Sequence, residues 1–256
     1  MPGIIREICQ KKGIAYQSFS DDWVLKLEKN SVIRWAIGYK FDLNLSAAGY
    51  VAQDKVATYM VLAAAGIPVV EHYLVRMLPG NPNQWQIEVP DLTGKPVVLK
   101  PLSGTGGRAV NCYETVAKAV ETAQQTAEPA WTISPYYDLQ TEYRLVMLDG
   151  EVLLSLEKTQ PVQYDGLKLF NLGQGAVAVD IPNPSLLGRL TVMASQTMQA
   201  LSLRLAAVDI VQTLEGDLRI LEVNDGIMLE SYVLQSAEYK KRAVTVYEAV
   251  VQALFV

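Results

Sequence analysis

The sequence predicts an α+β fold, mixed rather than a doubly wound parallel sheet, on three observations. Strand-like and helix-like segments alternate along all 256 residues. Consecutive strands are joined at Asp149-Gly150 and Glu215-Gly216, the first a strong signal for a two-residue antiparallel turn. Helical segments with clear start and stop residues separate the strand groups.

A helix over 4–12 precedes strands at "IAYQSF", "WVLKLEK" and "VIRWAIGY", a β-rich lobe that runs into a loop near Ala48. "QDKVATYMVLAAAG" opens on Asp54 as N-cap, carries alanine and leucine through its body, and stops at Gly66 with Pro68 beyond. "IPVVEHYLV", "QWQIEV", "PVVLKP", "RAVNCYE" and "WTISPYY" read as short strands around a helix at "TVAKAVETAQQTA". "EYRLVMLDGEVLLSLEK" is a hairpin, followed by an irregular stretch to "NLGQGAVAVDI" and a helix over about 185–206. A second hairpin, "AAVDIVQTLEGDLRILEVND", and a helix from about residue 237 follow.

Half of the residues are hydrophobic and 19% are charged, without tracts, which is the composition of an ordered protein. A net charge of −5 argues against a nucleic-acid coat. Arg6 and Glu7 interrupt the start where a leader would be apolar, and the apolar stretch 56–70 is short and broken by Gly66 and Pro68. These features predict a cytoplasmic protein without membrane or nucleic-acid partners. Cys9 and Cys112 form neither a disulfide framework nor a zinc pattern, and the single histidine, His72, has no partner motif for catalysis.

"VVLKPLSGTGGRAV" sets a glycine cluster between two β-branched runs. No Lys-[Ser/Thr] follows Gly107, so it is not a Walker A loop, and the strand-like "RAVNCYE" denies it the helix of a dinucleotide fingerprint. What remains is strand, glycine loop, strand. Its N–H groups could cover phosphates, with Lys100 as counter-charge and Ser103 and Thr105 as hydroxyl donors. Taken alone, the stretch fits a ligand-free turn equally well.

The second hairpin adds to this. With Glu215-Gly216 as a two-residue turn, Leu214 faces Asp217, Asp209 faces Glu222, and Asn224 shares the face of Glu222. Facing carboxylates between Val208, Ile210, Leu221 and Val223 call for a cation, and two carboxylates with an amide oxygen suit Mg²⁺. The competing reading is a solvent-facing pair, or ion pairs to Arg144 or Arg219. The Asp149-Gly150 turn likewise places Glu142 opposite Glu157, which makes a structural ion-pair cluster around Arg144 the alternative to a ligand role. Lys158, at the end of that hairpin, faces either phosphate or solvent.

Asp54-Lys55, "VVLKPLSGTGG", "EYRLVMLDGEV" and "AAVDIVQTLEGDLRILEVND" together resemble, in order and spacing, the ATP-grasp superfamily over residues 50–235. The likeness is to its carboxylate-amine ligases of the RimK and glutathione synthetase type. The resemblance implies an ATP-grasp fold in which two α+β lobes clamp a nucleotide, divided as a reduced N-terminal lobe at 1–50, a central lobe at 51–133 and a C-terminal lobe at 134–256. It implies Lys55 and Lys100 as phosphate-binding lysines, with Ser103, Gly104, Thr105, Gly106 and Gly107 as the flap over the phosphates. Residues Ile133, Pro135, Tyr136 and Tyr137 resemble the adenine hinge, and Asp209, Glu222 and Asn224 the ligands of Mg²⁺ (or Mn²⁺). Arg144 resembles an arginine that contacts phosphate or substrate, and Asn171 the asparagine of an "N-L-x-x-G" motif.

The implied chemistry uses ATP to turn a carboxylate into an acyl phosphate that an amine captures, releasing ADP and phosphate. An amino acid or peptide is expected among the substrates. The sequence departs from the family pattern at Pro135, where many relatives carry glutamate, and at "DGIMLE" after Asn224. Its N-terminal lobe is about half the length relatives use, within ordinary domain sizes. The reduced lobe leaves a substrate site either truncated or completed by a second subunit of a homo-oligomer. A non-catalytic nucleotide-binding scaffold and a small-molecule kinase are the other readings.

Overall fold

The computed structural model describes residues 1–104, 109–164 and 166–256, with the side chains of all except residues 82 and 83. Among the described residues the first lobe comprises α1 (Pro2–Lys12), β1 (Ala15–Phe19), β2 (Val24–Lys29), β3 (Val32–Ile37) and β4 (Lys40–Phe41), its strands forming an antiparallel sheet in chain order. Next come α2 (Ser46–Gln53) and α3 (Lys55–Ala64). Asp54 caps α3, its Oδ1 accepting from the N–H groups of Val56 and Ala57 at 2.9 Å each, as its residue type predicts.

The central lobe contains β5 (Tyr73–Leu78), β6 (Asn81–Ile87), β7 (Val97–Pro101), β8 (Asn111–Tyr113), α4 (Val116–Gln124) and β9 (Ala130–Pro135). Its sheet runs β6-β5-β9-β7-β8 and packs Val75, Leu99, Trp131 and Ile133 against Ala119 and Ala123 of α4. Only the second half of "IPVVEHYLV" is in β5. The first half runs beside Ile220, whose N–H donates to the Pro68 carbonyl while the Val70 N–H donates to the Ile220 carbonyl.

The third group is β10 (Leu139–Leu148), β11 (Glu151–Thr159), β12 (Val162–Tyr164), β13 (Leu167–Leu169), a 3₁₀ turn (Leu172–Gln174), β14 (Val177–Val179), α5 (Pro184–Ala200), β15 (Leu205–Thr213), β16 (Leu218–Asn224), α6 (Glu230–Val233) and α7 (Ala237–Ala253). Its main sheet runs β14-β11-β10-β15-β16. The helix expected to reach residue 206 stops at Ala200, because Ser202 turns left-handed at φ 54° and β15 begins three residues later.

Strand alternation divides this sheet cleanly. Tyr143, Leu145, Met147, Val208 and Ile210 face α3 and α5, packing with Leu62, Leu190, Ala194 and Met198. Val146, Leu148, Leu154, Leu156, Leu205 and Ala207 face the other way, against α7 and the first lobe, where Leu25, Leu27, Ile5 and Ile8 complete the core. The first lobe therefore shares its core with α7. The boundaries expected at residues 50 and 133 fall inside α2 and β9. Among the described residues, no helix is long and apolar enough to cross a membrane.

Both hairpin registers are shifted by bulges. Asp149 and Gly150, at φ 50° and 87°, form the two-residue turn, but an extra residue at Leu153 moves Glu142 from the expected Glu157 to Lys158. In the second hairpin the Thr213 N–H donates to the Asp217 carbonyl, so the loop has three residues, with Gly216 at φ 91°, and Leu214 does not face Asp217. A second irregularity, between Asp209 and Ile210, restores the register, and Asp209 faces Glu222 as predicted.

Candidate active site

A cavity of about 430 Å³ opens where the central lobe, the first lobe and the β10–β16 sheet meet. The central lobe contributes Lys100 at the end of β7, with Ser103 and Gly104 beyond it. Lys55, the first residue of α3, enters from the side with its Nζ donating to the carbonyls of Gly104 (2.8 Å), Leu102 (3.3 Å) and Pro101 (3.4 Å). That lysine thus holds the root of the glycine loop. Thr105, Gly106 and Gly107 lie outside the described residues.

Burial, and then the neighbouring Lys55 ammonium, bring Lys100 down to about 8. Burial also lowers Lys55, against the opposing charges of Glu222 and Asp54. Two desolvated ammoniums on one wall constitute a standing demand for anionic charge.

The opposite wall is the far half of the sheet face that is apolar beneath α7. Here the same alternation presents Glu142 and Arg144 from β10, Lys158 from β11, Asp209 from β15, and Glu222 and Asn224 from β16. Arg144 grips Asp209 bidentately, Nε to Oδ1 at 2.7 Å and Nη2 to Oδ2 at 2.6 Å. Lys158 reaches Asp209 Oδ1 at 3.1 Å and also pairs with Glu142. Burial tends to raise the Asp209 carboxyl, but Arg144 and Lys158 together overturn that and hold it well below the usual carboxylate range. Glu142 is pushed up to about 7 by burial, opposed by Lys158.

Sequence reasoning brings most of the predicted residues to this cavity, with exceptions. Pro135, Tyr136 and Tyr137 line it, but Ile133 is fully buried in the central core and does not, because alternation turns it away from the neighbouring Ser134. The Tyr136 N–H is already donated to the Pro96 carbonyl, and the Tyr137 hydroxyl donates to Glu71 at 2.6 Å. Glu222, Asn224 and Arg144 line the cavity, while Asp209 is fully buried behind Arg144. Asn171 lines it too, its Oδ1 accepting from the Gly173 N–H at 2.8 Å.

His72 is buried, with Nε2 3.5 Å from the Leu221 carbonyl. Lys158, which the sequence leaves between phosphate and solvent, is buried in the cluster, and its alternation with Leu154 and Leu156 was the available signal. Lys40 and Asp225, also on the cavity, carry no readable motif.

The donor chemistry fits a hard divalent cation. Glu222 and Asn224 offer oxygens to the cavity, linked by Asn224 Nδ2 donating to Glu222 Oε1 at 3.2 Å, and Asp209 faces Glu222 across the hairpin with its oxygens engaged by Arg144 and Lys158. Among the described residues there is no cluster of three or more His, Cys, Asp or Glu side chains suited to a metal, so the set depends on the amide of Asn224.

Lobes that meet over a cavity with lysines on one wall and carboxylates on the other define a nucleotide clamp of the ATP-grasp fold. The solved D-alanine–D-alanine ligase from Bacillus anthracis, complexed with ATP, superposes with a TM-score of 0.58 at 17% identity, covering 81% of this chain and 67% of that one. A family model described as an ATP-grasp domain, the third family of its clade, matches residues 84–254, and the chain belongs to that ATP-grasp family.

It is similar to the cyanophycin synthetase of Trichormus variabilis, 26% identical over 159 residues, covering 60% of this chain and 17% of that protein. It is also similar to a probable alpha-L-glutamate ligase of Shewanella halifaxensis, 30% identical over 142 residues, covering 54% of this chain and 29% of that protein. The chain thus matches less than a third of the length of either curated relative.

Proposed function

We propose that the protein is an ATP- and Mg²⁺-dependent ligase that joins a carboxylate to the amine of an amino acid or peptide. The observation that carries this reading is the meeting of Lys55 and Lys100 with the charged half of the sheet face across one cavity. Names of the relatives favour it over a scaffold or a kinase: a synthetase, a probable glutamate ligase and a D-alanine–D-alanine ligase.

In this reading Lys55, Lys100 and the loop from Ser103 to Gly107 bind the phosphates. The segment 134–137 receives the adenine, and because Pro135 has no N–H and that of Tyr136 is taken, Tyr137 supplies the hinge donor. Glu222, Asn224 and Asp209 would hold Mg²⁺ or Mn²⁺, which when bound supplies positive charge to the phosphate oxygens.

A substrate carboxylate oxygen attacks the γ-phosphorus, the bond to the β-phosphate oxygen breaks, and ADP leaves. The amine then attacks the acyl carbon, loses a proton, and expels phosphate to leave an amide. Lys100 and Arg144 stabilise the equatorial charge of the phosphoryl group in transfer. Asp209 fixes the plane of the guanidinium. Because ATP is its fuel, we place the reaction in the cytoplasm.

Incubation with ATP, Mg²⁺ and a panel of carboxylates and amines tests the proposal. The expected outcome is ADP release that depends on both partners and is strongly reduced by Glu222→Gln. AMP as the product, or full turnover in Glu222→Gln, would contradict it.

A further inference from the structure

Lys40 and Asp225 form a charge pair on the cavity wall that the nucleotide site does not use. Lys40 is at the start of β4 in the first lobe, and Asp225 directly follows Asn224. The Lys40 Nζ lies 2.9 Å from each carboxylate oxygen of Asp225.

The two partners differ in setting. The Asp225 side chain is 10% exposed, and that of Lys40 is 43% exposed. The carboxylate is held in place. A Cβ at Gly49 of α2 would stand 2.6 Å from Asp225 Oδ2, and Gln53 Nε2 donates to the same oxygen at 3.4 Å. Both ends of the pair, with Trp23, Tyr39 and Gln53, line the cavity.

A buried carboxylate whose cation partner is half in solvent offers a place for a ligand that carries both charges. From this geometry we propose that Lys40 and Asp225 are the subsite for the amine-bearing substrate, and that this substrate is a zwitterionic α-amino acid. The inference rests on the ligase reading and names its substrate class.

The amino acid enters between the partners, its ammonium on Asp225 and its carboxylate on Lys40, replacing one ion pair by two. Asp225 is the inner member, one residue from Asn224, so the amino group points toward the phosphates and the carboxylate toward the mouth. That orientation selects the amine for reaction and keeps the amino acid's own carboxylate away from the γ-phosphate. The first lobe, short as it is, thereby supplies a specificity residue.

The test is steady-state ADP release with ATP, Mg²⁺, a fixed carboxylate, and three forms of whichever proteinogenic L-amino acid is used fastest: free, methyl ester and N-acetyl. With the wild type, the ester should raise KM about 10- to 100-fold, the loss expected for a charge-assisted contact, and the N-acetyl form should not serve as amine. Lys40→Met should raise the KM of the free amino acid by a similar factor with a much smaller change in kcat, and should no longer tell acid from ester. Lys40→Arg should restore most of the difference.

Lys40 is exposed enough that the Met variant is expected to fold, which its melting temperature checks. An ester used as well as the free acid, or undiminished discrimination in Lys40→Met, would overturn the subsite while leaving the ligase reading intact. If no amino acid at all stimulates ADP release, both fall together.

Discussion

One face of the β10–β16 sheet has two halves with opposite chemistry. Beneath α7 it presents Val146, Leu148, Leu154, Leu156, Leu205 and Ala207, and a few residues along the same strands it presents Glu142, Arg144, Lys158, Asp209 and Glu222. Backbone geometry is common to both, so only side-chain type sets the division.

The apolar half stabilises the molecule by burial, joining the first lobe to α7. Burying the charged half is costly. Its cost is offset because Glu142 and Asp209 are matched by Lys158 and Arg144, leaving Glu222 to balance Lys55 and Lys100 across the cavity. The surplus positive charge faces open space, which is what a bound polyphosphate requires.

Removing a single charge from the matched set should therefore cost more than removing a core side chain. Asp209→Ala strands Arg144 and Lys158 without their shared carboxylate and should lower stability by about 3–5 kcal/mol, read by urea unfolding. Leu156→Ala, in the apolar half, should cost about 2–5 kcal/mol with kcat/KM preserved in the folded fraction. Loss of activity out of proportion to stability in Leu156→Ala would break the division between the halves.

Lys100→Met should show the reverse pattern, a fall of about 10²–10³ in kcat with stability unchanged or improved, because a desolvated ammonium is removed. Since Lys100 is lowered to about 8, it is charged below that pH and neutral above it. Nucleotide affinity should fall as pH rises through about 8, by up to tenfold per pH unit, and Lys100→Arg should flatten the profile. Folding stability carries the opposite sign. The unfolded chain binds the extra proton between about 8 and the ordinary lysine value, so this group's contribution rises with pH across that window.

The smallest effect belongs to the exposed pair of Arg204 with Asp149 at the hairpin turn. Its loss in Arg204→Met should change stability by no more than about 1 kcal/mol, measured by thermal unfolding.

Much of this was legible in the sequence where the signal is local. Asp54 caps α3, Asp149-Gly150 turns its hairpin, and Lys55 and Lys100 reach one cavity. The facing of Asp209 and Glu222 was legible for a less simple reason. The three-residue loop and the later bulge displace the register in opposite senses, so counting from the turn lands on the right pair by cancellation.

At the first hairpin a lone bulge at Leu153 leaves no such compensation, and Glu142 meets Lys158 instead of Glu157. Bulges have no reliable residue signature, which is why registers near them are read poorly. The core shared by the first lobe and α7 joins residues more than 200 positions apart, such as Leu25 and Tyr247, and no local pattern reports it. Asp225 and Lys40 escaped for the same reason, since only the folded chain sets them face to face.

The central claim is that the charged half of the sheet face serves phosphoryl transfer to a carboxylate. It is tested most directly by following oxygen. With ATP, Mg²⁺, an amine partner and a carboxylate labelled with ¹⁸O, an acyl phosphate route delivers one labelled oxygen into the released phosphate, alongside ADP and an amide. Phosphate free of label, or label found in AMP, would contradict the account.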